Sequence, residues 1–263
     1  MDLKLKGLRA LVTGASRGLG YATARGLALE GCNVAVNGRD EVKLAAAASQ
    51  LKDETGSMIL ALSGDITEAA TAQELVDHCV KAFGGLDLLV TNTGGPPSGR
   101  FENFDDATWQ AAFELNLLSH VRMIRAALHY LRQSPAASVL TVTSYSIKQP
   151  IPNLVLSNSI RSATVGLTKS LALELGNEGI RFNSILPAWT ETERVQYLMA
   201  QRAQVNGTTA EEEFNKQASD SPLGRMGKPE EFANAAVFLL SPAASYITGV
   251  MLTVDGGMYK GTL

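Results

Sequence analysis

The sequence predicts an α/β protein with a doubly wound, seven-stranded parallel sheet and helices on both faces of that sheet. Short aliphatic runs alternate with helix-length segments along the chain, which is the pattern of parallel strands joined by crossover helices. The apolar fraction of 45% and the charged fraction of 19% are those of an ordinary globular protein. No linker-like stretch divides the 263 residues, so one domain spanning residues 1–263 is expected.

Seven β-branched or aliphatic runs are the candidate strands, and six longer segments between them have helical patterns. The predicted strands span residues 9–13, 33–37, 58–62, 86–91, 138–143, 181–186 and 251–254. The predicted helices span residues 21–30, 42–54, 69–83, 107–132, 158–175 and 230–240. Because ligands of such sheets bind beyond the carboxyl ends of the strands, we expect the functional residues there.

Charge and composition argue against several classes of partner. The net charge is −3 without a dense Lys/Arg cluster, so neither nucleic acid nor an anionic membrane is expected. No apolar stretch approaches membrane-spanning length, and the N-terminus runs into a strand rather than a signal core, which predicts a cytoplasmic protein. A small molecule is the expected partner.

The cysteines and histidines give no sign of a metal site or a disulfide. Cys32 and Cys79 lack a CxxC pair and a nearby histidine at metal spacing, so buried apolar roles are expected. His78, His120 and His129 have no evident nucleophile or metal partner by spacing, so surface or packing roles are expected.

A long polar segment, residues 190–221, interrupts the alternation between the sixth strand and the last helix. A long insertion at such a place is typical of a lid or binding loop, and we predict a substrate lid. A solvated helical hairpin is the alternative. Trp189 and Tyr197 are candidates for an apolar wall of the substrate site, with ordinary packing as the alternative.

A glycine-rich turn, Thr13-Gly14-Ala15-Ser16-Arg17-Gly18-Leu19-Gly20, follows the first predicted strand and opens the first helix. Glycines at such a turn let the backbone approach a pyrophosphate, and the N–H groups of the helix N-terminus hold its charge. The spacing Gly-x-x-x-Gly-x-Gly differs from the commoner Gly-x-Gly-x-x-Gly, but the strand–turn–helix context favours the dinucleotide site of a Rossmann-type fold. The expected cofactor contacts are Gly14, Ser16, Arg17, Gly18, Leu19 and Gly20.

Together with later motifs, this turn resembles the short-chain dehydrogenase/reductase family over essentially the whole chain. The later motifs are Gly64-Asp65-Ile66-Thr67, Thr91-Asn92-Thr93-Gly94, Asn116, Ser144, Pro187 and Asp255-Gly256-Gly257. Thr93 and Ala188 stand where the family usually has Ala and Gly, and neither change removes a group that the cofactor needs.

The resemblance implies further site residues and an assembly state. Asp65 and Asn92 are assigned to the adenine side of the site and its supporting strand, and Thr192 to the nicotinamide amide after the turn at Pro187. Ile66 and Gly94 complete the expected cofactor-binding set. A homotetramer, assembled through the last strand and its surroundings, is also implied.

The end of the second strand, Asn37-Gly38-Arg39, indicates the choice of cofactor. An NAD-binding protein would place an acidic residue here for the ribose 2′-hydroxyl, whereas Asn37 does not repel a phosphate. Arg39, with Arg17 from the glycine turn, would bind a 2′-phosphate through charge-assisted hydrogen bonds, so NADP(H) is predicted. Asp40 is expected to cap the next helix, with an NAD ribose as its alternative partner.

The predicted catalytic group departs from the family pattern. The resemblance implies that Asn116 anchors a proton-relay water and that Ser144 holds the substrate oxygen. Counted back from Gly166-Leu167-Thr168-Lys169, the usual Tyr position is Ser157 and the usual Lys position is Arg161. Tyr-x-x-x-Lys has become Ser-x-x-x-Arg.

This substitution is expected to change the chemistry. A serine hydroxyl is shorter and much less acidic than a phenol, so direct carbonyl reduction through Ser157 should suffer. Arg161 keeps a positive charge and several donors, so ribose binding and stabilisation of an oxyanion are expected to survive.

Three functions remain open from sequence. The first is an NADPH-dependent reductase of a small carbonyl compound, performing conjugate reduction of an enone whose enolate Ser144 and Arg161 hold. The second is an ordinary ketone, alcohol or 3-oxoacyl reductase with another proton donor, for which Tyr145 and Lys148 are the nearest candidates. The third is a non-catalytic protein that binds NADP(H), against which the intact Asn116 and Ser144 argue.

Overall fold

The computed structural model describes residues 1–262 and confirms the predicted fold class. Within those residues, seven strands form one parallel sheet in the order β3-β2-β1-β4-β5-β6-β7. The strands are β1 (Arg9–Val12), β2 (Asn33–Gly38), β3 (Ile59–Ser63), β4 (Leu88–Thr91), β5 (Ser138–Val142), β6 (Arg181–Pro187) and β7 (Met251–Val254). The winding direction reverses between β1 and β4, which leaves a crevice at their carboxyl ends.

Helices pack on both faces of the sheet, as predicted. They are α1 (Gly18–Leu29), α2 (Glu41–Thr55), α3 (Thr71–Phe83), α4 (Asp106–Phe113), α5 (Ser119–Leu131), α6 (Val155–Leu175), α7 (Glu193–Asn206), α8 (Ala210–Ser219) and α9 (Pro229–Leu240). Leu88 and Val90 of β4 face the core formed with α1, α2 and α9, whereas Leu89 faces the core formed with α3 and α5. This alternation follows from the pleat of a strand that is buried on both sides.

The predicted helix 107–132 is wrong as one continuous element. A π-helical turn, Glu114–Leu118, separates α4 from α5 and contains Asn116. The Ser119 N–H donates to the Glu114 carbonyl, and the freed Asn116 carbonyl accepts a hydrogen bond from the Thr164 hydroxyl of α6. One extra residue in a helix barely alters the apolar periodicity, so the sequence pattern did not reveal the turn.

The insertion at residues 190–221 folds as a helical hairpin of α7 and α8, called the lid hairpin below. Its inner face is packed rather than solvated, because Val195 and Met199 are buried against Tyr145 and Trp189. The Arg202 guanidinium stacks over the Trp189 ring at 4.6 Å from its centroid. Trp189 therefore has a packing role in this structure, whereas Tyr197 is 54% exposed.

Other parts of the chain match their expectations more simply. The seven observed strands differ from the predicted ranges by at most two residues at either end. Asp40 caps α2, accepting a hydrogen bond from the Lys43 N–H at 3.1 Å. Cys32 and Cys79 are buried free thiols. Within residues 1–262, no helix is both long enough and apolar enough to cross a membrane.

An ion pair between Arg9 and the buried carboxylate of Asp87 ties β1 to the start of β4. Asp87 is 1% exposed and accepts hydrogen bonds from the Arg9 backbone N–H, Nε and Nη2 at 2.7 to 2.8 Å and from the Ser134 hydroxyl at 2.6 Å. Burial alone would raise the pKa of the Asp87 carboxyl, but the hydrogen bonds from Arg9 and Ser134 outweigh it and lower that pKa.

We expect the substitution Asp87→Asn to lower the free energy of unfolding by about 3 kcal/mol, because it leaves the Arg9 charge without its partner. Asp53→Asn, at an exposed position, is the control and should change stability by less than about 0.5 kcal/mol. Urea unfolding followed by circular dichroism measures both values.

The contribution of Asp87 is also expected to depend on pH. Its folded pKa lies below the unfolded value of about 4, so the stabilisation is complete above that value and is lost as pH falls through the folded pKa. If the difference in free energy of unfolding between the unmodified protein and Asp87→Asn grew as the pH was lowered, this explanation would be contradicted.

Candidate active site

The glycine turn after β1 has a backbone that side chains would obstruct. Gly14 and Gly18 have φ angles of +57° and +60°. A Cβ at Gly20 would lie 2.3 Å from the Gly14 carbonyl oxygen, closer than any real contact. The turn therefore brings main-chain atoms and the N-terminus of α1 next to whatever lies over it, which fits a dinucleotide pyrophosphate.

Thr13 and Asn92 join the ends of β1 and β4 beneath this turn. The Asn92 N–H donates to the Thr13 hydroxyl, and that hydroxyl donates to the Asn92 carbonyl, both at 2.8 Å. The Asn92 amide Nδ2 donates to the Gly14 carbonyl at 3.0 Å. Asn92 thus fixes the turn from below, in agreement with its expected place on the supporting strand.

The two arginines predicted to bind the 2′-phosphate each contact a carboxylate. Arg39 is 3.6 Å from Asp65, with its side chain 73% exposed, and Arg17 forms an ion pair with Glu193 of α7. The Asn37 side chain is buried and donates to the Leu62 and Gly64 carbonyls at 3.0 and 3.1 Å. An acidic side chain at residue 37 could not donate those bonds.

The start of the lid hairpin reaches the glycine turn. Thr192 caps α7, and its methyl carbon lies 3.7 Å from the position of a Cβ on Gly18. Pro187 ends β6, five residues earlier in the chain. Thr192 and the ion pair between Arg17 and Glu193 therefore place the first turn of α7 beside the predicted cofactor crevice.

Asn116 is fully buried at the π-helical turn and reaches the end of β4. Its Nδ2 donates to the Thr93 hydroxyl at 2.7 Å and to the Gly94 carbonyl at 2.9 Å. Its Oδ1 is buried and accepts no hydrogen bond within residues 1–262. Thr93, the departure noted in the sequence, thus supplies a hydroxyl that orients Asn116.

Arg161 carries a positive charge into the same region. It is 6% exposed; Nη1 donates to the Val142 and Thr143 carbonyls at 3.1 Å, and Nη2 donates to the Gly94 carbonyl at 3.3 Å. No carboxylate of residues 1–262 forms an ion pair with it. Burial, and secondarily the charge of Arg194, lower its pKa to about 10, so it stays protonated at neutral pH.

The two serines of the predicted catalytic group adjoin Arg161 in different ways. Ser144 follows β5, one residue after the Thr143 carbonyl that binds Arg161, and its Oγ accepts from the Ser146 N–H at 3.2 Å. Ser157 lies four residues before Arg161 on α6, so the two share a helix face. Ser157 is 8% exposed, and its hydroxyl forms no hydrogen bond with residues 1–262.

The two alternative proton donors have partners of their own. Tyr145 is buried in the cluster beneath the lid hairpin, and burial raises the pKa of its phenol, which weakens it as an acid. The Lys148 ammonium lies over the Tyr259 ring, 5.2 Å from its centroid. These contacts lie outside the group formed by Asn116, Ser144 and Arg161.

Sequence reasoning gave His120 a surface or packing role and did not single out Arg194, although the structure has both close to Arg161. His120 is fully buried, with Nδ1 2.7 Å from the Thr91 hydroxyl, and burial together with the Arg161 charge lowers its pKa to about 3. Arg194 donates to the Pro96 carbonyl at 3.0 Å. The position of Arg194, two residues after Thr192 in the predicted lid, was the available signal.

Comparisons with known proteins agree with this geometry. A family model described as enoyl-(acyl carrier protein) reductase matches residues 14–259. L-rhamnose 1-dehydrogenase (NAD(P)(+)) of Sphingomonas sp. (strain SKA58) is 34% identical over 256 residues, covering 97% of each chain.

Solved structures agree over nearly the whole chain. L-sorbose reductase from Gluconobacter frateurii, complexed with NADPH and L-sorbose, superimposes with a TM-score of 0.95 at 30% identity, covering 99% of this chain and 100% of that one. An NADPH-bound short chain oxidoreductase from Pseudomonas aeruginosa PAO1, described as containing an atypical catalytic center, gives a TM-score of 0.88 at 32% identity, covering 98% and 99%. The chain therefore belongs to the short-chain dehydrogenase/reductase family and is a nicotinamide-dependent oxidoreductase.

Proposed function

We propose that this enzyme uses NADPH to reduce an α,β-unsaturated carbonyl compound at its β-carbon. The observation that carries the proposal is the charge beside Ser144: a buried guanidinium, Arg161, held by three backbone carbonyls, with Ser157 at the position of the usual phenol. Such a group stabilises negative charge on a substrate oxygen but is a poor proton donor.

Conjugate reduction suits these residues because it needs no proton at the oxygen. When bound, NADPH would supply a hydride to the β-carbon and become NADP⁺. The carbon–carbon π electrons would then form the double bond between the α-carbon and the carbonyl carbon, and the carbonyl π electrons would move onto oxygen, giving an enolate. The Ser144 hydroxyl and the free N–H donors of Arg161 hold that oxygen. The α-carbon then takes a proton from water.

Direct carbonyl reduction would require the same site to donate a proton to the substrate oxygen. Hydride addition to the carbonyl carbon produces an alkoxide, which is far more basic than an enolate and is best protonated as it forms. Ser157 is a weak acid, and Arg161 with a pKa of about 10 retains its proton at neutral pH. The packing of Tyr145 and Lys148 elsewhere supports the same preference.

A panel of matched enones and saturated ketones tests the proposal, beginning with cyclohex-2-enone and cyclohexanone. We expect NADPH oxidation with enones, at least about 100-fold faster per unit concentration than with their saturated partners, a difference of roughly 2.7 kcal/mol in the barrier. Gas chromatography should show the saturated ketone as product. An allylic alcohol would favour ordinary carbonyl reduction, and no turnover of any enone in the panel would contradict the proposal.

The preference for NADPH rests on Arg39 and Arg17. Each is accessible and paired with a carboxylate, Asp65 or Glu193, which a doubly charged phosphate can replace as a partner. The descriptions of the two solved relatives with bound NADPH support the same choice. The lid hairpin, through Thr192, is proposed to cover the nicotinamide end of the site.

We expect NADPH to bind more tightly than NADH, and Arg39→Ala to remove about 1.5 to 3 kcal/mol of that preference. Glu193→Gln frees Arg17 and should strengthen NADPH binding a few-fold while leaving NADH unchanged. Glu191→Gln is the control, because Glu191 is an exposed residue two positions away that forms no ion pair within residues 1–262. Equal affinities of the unmodified protein for the two cofactors, measured by fluorescence titration, would contradict the assignment.

The roles of the two altered catalytic positions are separable by substitution. Ser157→Ala should keep turnover within about threefold, because only a weakly acidic hydroxyl is lost. Arg161→Ala should lower kcat about 100- to 1000-fold and weaken NADPH binding, whereas Arg161→Lys, which keeps the charge, should retain more of both. A loss of several orders of magnitude in kcat for Ser157→Ala, at unchanged NADPH affinity, would show that this serine carries an essential step.

A further inference from the structure

A second arginine without a carboxylate partner lies close to Arg161. Arg194, on the first turn of α7, donates through Nη2 to the Pro96 carbonyl, and that nitrogen lies 3.3 Å from the position of a Cβ on Gly95. Arg161 binds the Gly94 carbonyl, two residues earlier in the same segment. The two guanidinium groups thus bind carbonyls of residues that are two positions apart in the chain. The Cα atoms of such residues are at most about 7 Å apart.

The two charges are not neutralised by the protein. Within residues 1–262, neither arginine forms an ion pair with Asp or Glu. The nearest ring contact of Arg194 is Tyr197, 5.7 Å from its guanidinium carbon. Each charge opposes the other, because Arg194 contributes to the lowered pKa of Arg161. An anion between them would relieve that repulsion.

The position of Arg194 separates it from the phosphate end of the cofactor crevice. Its neighbour Glu193 pairs with Arg17 of the glycine turn, whereas Arg194 contacts the loop that follows Gly94. Arg161 lies on that same side, next to Ser144 and Asn116. The unpaired charges therefore lie at the loop that follows Gly94, on the side of the predicted catalytic group.

From this geometry we propose that the enzyme selects substrates bearing a carboxylate, which Arg194 binds while Arg161 holds the reacting carbonyl oxygen. The inference rests on the proposed function and narrows its substrate class to unsaturated oxo acids. Part of the Arg194 side chain is open to solvent, but burial of its guanidinium lowers its pKa, so an incoming carboxylate meets a cation that has already lost part of its hydration. A neutral isostere lacks that interaction.

Binding of a carboxylate that cannot be reduced tests the site without requiring turnover. Isothermal titration of the protein–NADPH complex with benzoate and with benzamide compares an anion with a neutral molecule of the same shape. We expect benzoate to bind at least about tenfold more tightly than benzamide, a factor that corresponds to roughly 1.4 kcal/mol. Added salt should weaken the binding of benzoate more than the binding of benzamide.

Substitutions assign the preference to Arg194. Arg194→Gln should abolish the difference between benzoate and benzamide, and Arg194→Lys should keep most of it. Arg202→Gln is the matched control, since it removes a cation from the same helix. The Arg202 side chain stacks on Trp189 and donates to Gln217. That variant should keep the preference for benzoate. Circular dichroism checks that each variant is folded.

Four results overturn the proposal: equal binding of the two ligands, no binding of benzoate, an unchanged preference in Arg194→Gln, or a loss of NADPH affinity in Arg194→Gln with the preference intact. The last result would assign Arg194 to a cofactor phosphate. Benzoate binding does not depend on reduction, so the carboxylate site would still be supported if the panel showed that enones are not reduced. Reduction of enones without that preference would refute the carboxylate site alone.

Discussion

The contact between the Arg161 guanidinium and the carbonyls of Val142, Thr143 and Gly94 is the interaction on which the site depends. Carbonyl dipoles stabilise a buried cation without neutralising it, so the positive field remains available to a substrate oxygen. Burial, with a smaller contribution from the same positive charge, lowers the pKa of the His120 imidazole to about 3. The reacting end of the crevice therefore contains a fixed positive charge rather than a phenol poised to give up a proton.

The fold explains why this charge lies where it does. The winding of the sheet reverses between β1 and β4, and the ends of these strands are joined by Thr13 and Asn92 beneath the glycine turn. The π-helical turn brings Asn116 to Thr93 and Gly94, while its own carbonyl is bound by Thr164 of α6. Because α6 also contains Arg161, the turn and the cation are positioned by the same helix.

The sequence was sufficient for the features that depend on local pattern. Alternating apolar runs predicted all seven strands, and the strand–turn–helix context of Gly14 to Gly20 predicted the crevice. Counting back along the predicted helix assigned the two altered positions to Ser157 and Arg161, and the structure has both on α6, which begins at Val155, three residues before the predicted start. The roles assigned to these residues, the lid function and the homotetramer stay predictions.

Features that depend on contacts between distant residues were not predictable in this way. The ion pair of Arg17 with Glu193 joins positions 176 residues apart, and the contact of Arg194 with Pro96 joins positions 98 apart. The apolar periodicity of the sequence does not indicate such pairs, because they depend on how the lid hairpin packs on the sheet. The π-helical turn was missed for a different reason, since one additional residue leaves the helical pattern on either side intact.

In this mechanism Arg161, which stays charged at neutral pH, takes the place of a proton donor at the hydride-transfer step. The most direct measurement is the single-turnover rate of NADPH oxidation with a reducible enone as a function of pH. With the pKa of Arg161 at about 10 and that of His120 at about 3, we expect a rate that is flat from about pH 5 to pH 9 and falls as Arg161 loses its proton above that range. A rate that instead fell through a pKa between about 6 and 8 would show that a titrating acid donates a proton in that step, and would contradict the account.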